Sequence, residues 1–276
     1  MKKVLVSIAN LEYVKYFLPL IKSARKKGNW DGDFCLIIPN DIDVELTTEM
    51  KFYGIHLFKA PLLPENPPIH FYKIYLFDEY FKKWEWVLYS DLDVLFLNPI
   101  ELKLNELDKN YLYTKKDSYS FMEHFYNNSE VILTDEQIEE KDKIFKKYGD
   151  GDAFQTCFIL YHRSIIENGY FKKLYRAYLY YYCYYELART KWWDQSIFNI
   201  IFFEKWLDIG DEFVNRNPAM DDIDWDLSKL GGGYMDTNNY TSVSALHFFS
   251  FFPPWDERNL KFYPIWNEYN KKIDLI

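Results

Sequence analysis

The chain has 276 residues, of which 49% are hydrophobic and 27% charged, and this composition excludes a largely disordered chain and fits one large α/β domain. Its formal net charge of −9 comes without a basic block, which argues against a nucleic-acid backbone as the main partner, because neutralising phosphates needs clustered lysine and arginine. An acidic protein that binds a diphosphate usually recruits a cation.

The cysteines and the N-terminus predict where the protein works. Cys35, Cys157 and Cys183 are odd in number, lie far apart and form no CxxC pair, so the sequence indicates neither a disulfide framework nor a zinc site. The apolar stretch Val4–Ala9 is too short for a signal peptide or a membrane span. We therefore expect a soluble cytoplasmic protein without a transmembrane segment, compatible with contact at a membrane surface.

The first hundred residues alternate between strand and helix patterns, which predicts a βαβ unit and a parallel sheet. The segment Pro61–Pro68 contains four prolines, which exclude regular structure there and predict a loop. In chain order, the predicted elements are a strand at Val4–Ala9, a helix at Tyr13–Lys27, a strand at Phe34–Ile38, the loop Pro61–Pro68, a helix at His70–Phe81 and a strand at Trp86–Ser90.

The second part of the chain continues the α/β pattern. Its Asp-, Asn- and Gly-rich region Asn215–Tyr240 has weak periodicity and predicts a mobile or substrate-shaping loop. The other predicted elements are a surface helix at Thr134–Lys147, a turn at Gly149–Asp152, a strand at Phe154–Tyr161, a long helix at Ser164–Thr190, a helix at Asp194–Trp206 capped by Asp194, and a strand at Val243–Phe249.

Two acids directly follow the apolar strand Trp86–Ser90. Asp91 and Asp93 lie at the carboxyl end of this strand, the edge where open α/β sheets bind ligands. At positions i and i+2 they are placed to bind a divalent ion, one directly and the other directly or through water. Such an ion would bridge diphosphate oxygens and neutralise a leaving group. An isolated D-x-D is more often a solvated strand end.

Acidic segments of this kind also occur in two other classes of protein, and the sequence can be compared with the motif of each. Asp222–Asp226 mimics the start of an EF-hand loop, but Leu227 replaces the required glycine and Gly233 the bidentate glutamate. A strand followed by D-x-D also begins haloacid-dehalogenase-like phosphatases, in which Asp91 would be the nucleophile and Asp221–Asp222 would help to hold Mg²⁺. That motif normally opens its domain, whereas ninety residues precede Asp91.

Six motifs follow one another along most of the chain. The segment Trp193–Asn199 reads W-D-Q-S-I-F-N, and the last segment ends in P-P-W. The motifs lie at Val4–Asn10, Lys73, Trp86–Leu95, Phe154–Leu160, Trp193–Asn199 and His247–Trp255. In order and spacing they resemble the retaining glycosyltransferases of family 8, which have the GT-A fold and are typified by glycogenin and bacterial lipopolysaccharide galactosyltransferases.

The resemblance implies a metal-dependent transfer of a sugar from a nucleotide-sugar donor. Asp91, Asp93 and His247 would be the metal ligands, and two carboxylates with one imidazole favour Mn²⁺ over Mg²⁺. Asp194 would bind hydroxyls of the donor sugar, although an aspartate there is also an ordinary N-cap. Gln195 would lie beneath the anomeric carbon. The implied contacts to the donor are Ser7, Ala9, Asn10, Lys73, Asp91, Asp93, Gln155 and Trp255.

The resemblance also implies the overall organisation. We expect a single Rossmann-like GT-A domain over residues 1–276 with a mixed, mainly parallel sheet. Residues 1–100 would form the nucleotide-binding half that ends in the D-x-D, and residues 101–276 the half for the acceptor and the donor sugar. UDP is the usual carrier in this family, and the acceptor would be a glycan or glycoconjugate.

The last motif departs from the family pattern. Pro253 and Ser250 stand where the family has the lysine that contacts the diphosphate and a glycine, and Arg258 or Lys261 is close enough in sequence to supply the missing charge. Loss of turnover would leave a protein that only binds sugar nucleotides. An inverting GT-A enzyme is a further alternative, with a base among the acids of Asp221–Asp226.

Overall fold

A mixed seven-stranded sheet is the centre of the fold. The computed structural model describes residues 1–100, 102–120, 133–149, 151–189, 193–210, 214–216, 244–248, 253–257 and 263–271. Within these ranges the sheet has the order β3-β2-β1-β4-β7-β6-β8. Its strands are β1 (Lys3–Ile8), β2 (Asp33–Pro39), β3 (His56–Ala60), β4 (Trp86–Ser90), β6 (Leu112–Ser120), β7 (Asp152–His162) and β8 (Trp206–Asp208).

Strand direction makes the sheet mainly parallel, as predicted. In this sheet β1, β2, β3 and β4 pair in parallel, β7 pairs antiparallel with both β4 and β6, and β8 pairs in parallel with β6. A smaller sheet has the order β5-β10-β9 and lies beyond the end of β4. Its strands are β5 (Val94–Phe96), β9 (Val214–Arg216) and β10 (Ala245–His247).

Helices cover both faces of the large sheet. Val4 and Val6 of β1 point into one apolar layer, and Leu5 points into the layer that contains Phe17 and Leu20. A strand buried on both faces reads as a continuous apolar run, which is why β1 and β4 stand out in the sequence. Among the described residues, the α-helices are Val14–Lys26, Thr48–Phe52, Asp135–Tyr148, Ser164–Glu167, Tyr170–Tyr178, Trp193–Ile201 and Tyr263–Asn270.

The structure confirms the strands predicted at Val4–Ala9, Phe34–Ile38, Trp86–Ser90 and Phe154–Tyr161 to within a few residues. It also confirms the first helix and the surface helix. The latter begins with a capping box, in which the Thr134 side chain accepts from the Gln137 amide and the Gln137 side chain accepts from the Thr134 amide. Among the described residues, no helix is long and apolar enough to cross a membrane.

The helix predicted at His70–Phe81 is wrong in kind. Two 3₁₀-helices, Ile69–Phe77 and Glu79–Lys83, stand there, separated by the extended residue Asp78. The Asp78 carboxylate accepts a hydrogen bond from the Tyr80 amide at 2.9 Å and caps the second helix. Asp78 therefore favours a new helix start over continuation of the first helix.

The long helix predicted at Ser164–Thr190 is also wrong, because the backbone turns twice within it. Gly169 has a φ of 73° and ends the short helix Ser164–Glu167, and Glu186 has a φ of 56°. A left-handed residue cannot continue a right-handed helix, so each position starts a new element. Between them the chain forms the α-helix Tyr170–Tyr178 and the π-helix Leu179–Tyr184, followed by the 3₁₀-helix Leu187–Arg189.

Two later predictions need shorter bounds. The helix predicted at Asp194–Trp206 is Trp193–Ile201, with Asp194 in its first turn instead of at its cap, and Trp206 begins β8. The late strand predicted at Val243–Phe249 is β10. The predicted loop Asn215–Tyr240 lies, apart from residues 215 and 216, outside the described residues, as do Ser250, Arg258, Lys261 and the acids at 221–226.

Candidate active site

The two aspartates lie where β4 ends, between its neighbouring strands β1 and β7. Strand β4 ends at Ser90, whose carbonyl accepts a hydrogen bond from the buried Ser7 hydroxyl of β1 at 2.6 Å. The Asp91 amide donates to the Cys157 carbonyl of β7 at 2.8 Å. These bonds to both neighbouring strands fix the chain at the point where the acids leave the sheet.

The small sheet brings His247 to the same place. Its β10 pairs antiparallel with β5, so His247 lies opposite Val94, directly after Asp93 in sequence. The Phe248 amide donates to the Asp93 carbonyl at 2.9 Å. The His247 Nε2 atom is 3.5 Å from the Asp93 Oδ1 atom. One ligand atom each of Asp91, Asp93 and His247 lies within 4.8 Å of the others.

This cluster fits a divalent metal ion. Two ligand atoms held about 2.2 Å from one ion are at most about 4.4 Å apart, so a separation of up to 4.8 Å needs a closure of only a few tenths of an ångström. Two carboxylates supply the oxygen ligands that Mg²⁺ and Mn²⁺ prefer, and imidazole suits transition metals. The side chains of Asp91 and Asp93 are 26% and 28% exposed, which leaves them accessible to an ion from solvent.

A buried lysine connects the acidic pair to a third carboxylate. Lys73 comes from the first 3₁₀-helix, and its Nζ atom is 3.2 Å from Asp91 Oδ1 and 3.2 Å from Asp194 Oδ2. It also donates to the Thr156 hydroxyl at 3.2 Å, and that hydroxyl donates to Asp194 Oδ2 at 2.7 Å. The Tyr89 hydroxyl donates to Asp91 Oδ1. Asp91 therefore has a fixed orientation before any ligand binds.

Burial and charge act against each other in this cluster. Burial raises the pKa of the Asp91 carboxyl, and the charges of Lys73 and His247 reduce that increase. Burial lowers the pKa of the Lys73 ammonium, but Asp194 and Asp91 outweigh it and hold the pKa above its ordinary value. For His247 burial again lowers the pKa, and Cys157 and Asp93 outweigh it. The oppositely charged members of the cluster thus stabilise each other's charged forms, whereas the charge of Asp93 raises the pKa of Asp91 further.

A second polar cluster adjoins Asp194 and includes a residue that sequence reasoning missed. Asp117 on β6 is 4% exposed, and its carboxylate accepts from the Gln195 amide at 2.7 Å and from the Gln155 amide at 3.5 Å. Asn199 holds the other side of this cluster by bonding the Phe154 backbone in both directions. In the sequence, Asp117 lies among Lys115, Lys116 and Ser118, which look like a solvated surface.

His70 is a further titratable group beside these carboxylates. Burial lowers the pKa of its imidazole to about 4, the charge of Asp194 acts in the opposite direction, and Lys73 adds to the lowering. The imidazole is therefore neutral at pH 7. The sequence placed His70 only at the start of a helix, because a single histidine carries no pattern.

The remaining predicted residues lie in two places. Ala9 is buried at the end of β1 and donates its amide to the Ile37 carbonyl at 3.0 Å. The Asn10 side chain accepts from the Tyr13 amide at 3.1 Å. Trp255 stacks on Tyr16 with ring centroids 4.1 Å apart, in an aromatic group with Trp266. The structure thus brings together Asp91, Asp93, His247, Lys73, Asp194, Gln195 and Gln155, and it places Trp255 against a helix. Donor contacts by Ser7, Ala9, Asn10 and Trp255 stay predictions.

Comparison by sequence and by structure gives different results. No protein-family model matches the chain, and no curated protein matches it in sequence. Solved glycosyltransferases match it in structure. The apo structure of the bifunctional glycosyltransferase WbbM superimposes with a TM-score of 0.67 at 15% identity, covering 99% of this chain and 50% of WbbM. The glycosyltransferase GlyE of Streptococcus pneumoniae TIGR4 gives 0.63 at 18% identity, covering 99% and 62%.

A third match has nearly the same length as this chain. The galactosyltransferase LgtC, solved with donor and acceptor sugar analogs, gives a TM-score of 0.63 at 15% identity and covers 99% of this chain and 97% of LgtC. By contrast, this chain spans half of WbbM and about three-fifths of GlyE. At such low identity the likeness concerns the fold. The chain has the mixed α/β fold of the GT-A glycosyltransferases.

Proposed function

We propose that the chain is a metal-dependent glycosyltransferase. It moves a hexose from a nucleotide-sugar donor, most simply a UDP-sugar, to a hydroxyl of a glycan or glycoconjugate, with retention of the anomeric configuration. The observation that carries the proposal is the convergence of Asp91, Asp93 and His247 at one edge of a GT-A-type sheet. If Asp91 and Asp93 were only a solvated strand end, there would be no reason for the His247 imidazole, from a distant segment, to lie beside them.

In this proposal Asp91, Asp93 and His247 hold Mn²⁺ or Mg²⁺. When bound, the ion would supply positive charge that neutralises the diphosphate of the donor. Lys73 orients Asp91 and Asp194 through its 3.2 Å contacts and adds a second positive charge at the same edge. Electrostatic stabilisation of a leaving group is usually a large part of such catalysis, and losing one contact costs on the order of 10² in rate.

The second cluster would hold the donor sugar. Asp194 offers a carboxylate to sugar hydroxyls, and Gln195 lies next to it in the first turn of its helix. The Gln195 side-chain nitrogen donates to the Asp117 carboxylate at 2.7 Å, which fixes the orientation of the Gln195 side chain beside Asp194. During transfer the bond between the anomeric carbon and the diphosphate breaks with its electron pair on the diphosphate. The acceptor oxygen bonds to the same face and passes its proton to a phosphate oxygen.

A hydrolysis screen tests this proposal. The chain is incubated with UDP-, GDP- and other nucleotide sugars in Mn²⁺, Mg²⁺ or EDTA, and release of nucleoside diphosphate is measured. We expect release from one donor, dependent on metal and reduced about 10²-fold or more in Asp91→Ala and in Asp93→Ala. Asp43→Ala is the matched control, because the Asp43 side chain is fully exposed and its ion pair among the described residues is the exposed one with Lys59 at 3.5 Å.

Other outcomes identify the alternatives. Phosphate release from a phosphomonoester without any nucleotide sugar, together with an aspartyl-phosphate on Asp91, would assign a phosphatase. Tight donor binding without hydrolysis or transfer would assign a sugar-nucleotide-binding protein. Inversion of the product anomer would assign an inverting enzyme. Absence of both binding and turnover across all donors would refute the glycosyltransferase proposal.

A further inference from the structure

A cavity lies at one edge of the sheet. The opposite edge carries Asp91, Asp93 and Asp194, which we call the acidic cluster. The cavity has a volume of about 490 Å³, within the range of roughly 300 to 1,000 Å³ of small-molecule sites. It lies between the loop that leads into β6, the segment around Tyr170 and the residue that precedes β8. Its lining includes Lys173, Lys205, Tyr111, Tyr170, Asn110 and Asn168, with Asp108 at the same loop.

Strand directions separate this cavity from the candidate active site. Strands β4 and β6 run the same way, because both are antiparallel to β7. Asp91 follows the end of β4, whereas Tyr111 precedes the start of β6. The five residues of β4 span about 17 Å, so one monosaccharide cannot contact both edges.

The positive charges of the cavity are held in place but not neutralised. Lys173 lies over the Tyr170 ring at 4.0 Å, and Lys205 lies over the Tyr111 ring at 5.5 Å. Contact with a ring restricts a lysine and leaves its charge available. Among the described residues, neither lysine has a carboxylate within ion-pair distance. In a chain with a net charge of −9, two lysines that line one cavity and have no acidic partner among the described residues favour an anionic ligand.

The rest of the lining suits a sugar better than a bare anion. The Asp108 carboxylate accepts from the Asn110 amide at 2.9 Å and from its side chain at 3.0 Å, so it is fixed and still has an oxygen for a hydroxyl. That charge would repel a bare phosphate. The exposed Asn168 side chain offers both a donor and an acceptor to sugar hydroxyls.

We propose that this cavity binds an anionic saccharide, a sugar that carries a phosphate or a carboxylate, as a second site away from the acidic cluster. Lys173 and Lys205 bind the anionic group, and Asp108 and the two asparagines bind hydroxyls. The saccharide part rests on the proposed function, since a second glycan site would hold a distant part of an acceptor. The anion part rests on the cavity alone.

Calorimetric titration of the full chain tests the proposal. The probes are glucose 6-phosphate, glucuronate, glucose and inorganic phosphate, all in EDTA so that no metal recruits phosphate to the acidic cluster. We expect glucose 6-phosphate or glucuronate to bind more tightly than glucose and more tightly than phosphate. In Lys173→Gln and in Lys205→Gln the affinity falls at least about tenfold, because each loses a charge-assisted hydrogen bond.

The matched control is Lys172→Gln, which removes one charge from the same helix at an exposed position outside the lining. Its affinity should equal that of the unaltered chain. Which of the two anionic sugars binds distinguishes a phosphate from a carboxylate. If glucose binds as tightly as the anionic sugars, the anion part of the proposal is wrong. If inorganic phosphate binds as tightly as the anionic sugars, the saccharide part is wrong. Absence of binding of both anionic sugars at millimolar concentration, or equal losses in all three variants, would overturn the whole. Silence in the hydrolysis screen would not affect the anion site.

Discussion

Replacing Lys73 with methionine removes the central cation of the acidic cluster and keeps most of its volume. The Lys73 side chain is 6% exposed, and its ammonium is 3.2 Å from both Asp91 and Asp194. At an effective dielectric constant of about 20, each contact contributes about 5 kcal/mol of attraction before the cost of desolvation. Measured losses on breaking a buried pair are about 3 to 5 kcal/mol, and we expect that loss here.

Urea unfolding in EDTA at pH 7 measures this loss. Lys82→Met is the matched control, because Lys82 makes an exposed pair with Glu79 at 2.6 Å and such pairs contribute less than about 1 kcal/mol. Adding Mn²⁺ should restore part of the stability of Lys73→Met, because the ion supplies positive charge beside Asp91. The raised pKa of Lys73 means that its contribution is constant below the ordinary pKa of 10.5 and is lost only above it. A loss no larger than that of Lys82→Met would refute the reasoning.

Two further predictions concern the neighbouring residues. Burial lowers the pKa of His70 to about 4, so its neutral form contributes stability that is complete above pH 6.5 and is lost progressively as the pH falls from 6.5 to 4. In His70→Gln the loss of unfolding free energy between pH 7 and pH 4.5 should therefore be smaller by up to about 3 kcal/mol. An unchanged loss would contradict the burial of this imidazole. Asp117→Ala should lower the transfer rate about tenfold or more and leave the Mn²⁺ affinity unchanged. The substitution removes the carboxylate that accepts from the Gln195 side chain, and it leaves Asp91, Asp93 and His247 unaltered. A matching fall in Mn²⁺ affinity would contradict the separation of the two clusters.

Strands buried on both faces were predictable from sequence, and mixed ones were not. Strands β1 and β4 are unbroken apolar runs. In contrast, β3 reads H-L-F-K-A, and β6 contains two lysines and an aspartate, so neither was predicted. β6 is a strand because its backbone pairs with β7 and β8, and its own residue pattern does not indicate this. Helix breaks at Gly169 and Glu186 depend on single φ angles that periodicity does not encode.

The candidate site divides in the same way. Asp91 and Asp93 were visible because their spacing and the apolar strand before them form a local pattern. His247 entered only through the resemblance, since its place beside Asp93 depends on the pairing of β10 with β5. Asp117 was missed because its partners Gln155 and Gln195 are far away in sequence. Contacts between distant segments are beyond a single sequence read by pattern.

The pairing of β10 with β5 makes the candidate metal site depend on the order of synthesis. A nascent chain that has left the ribosome as far as β8 already contains β4, Lys73 and both aspartates, but it lacks His247. Its affinity for a cation is then that of two carboxylates, one of them already paired with Lys73. Only translation through His247 completes the cluster, so any cation affinity that needs its imidazole arises only in a chain that has been made at least this far.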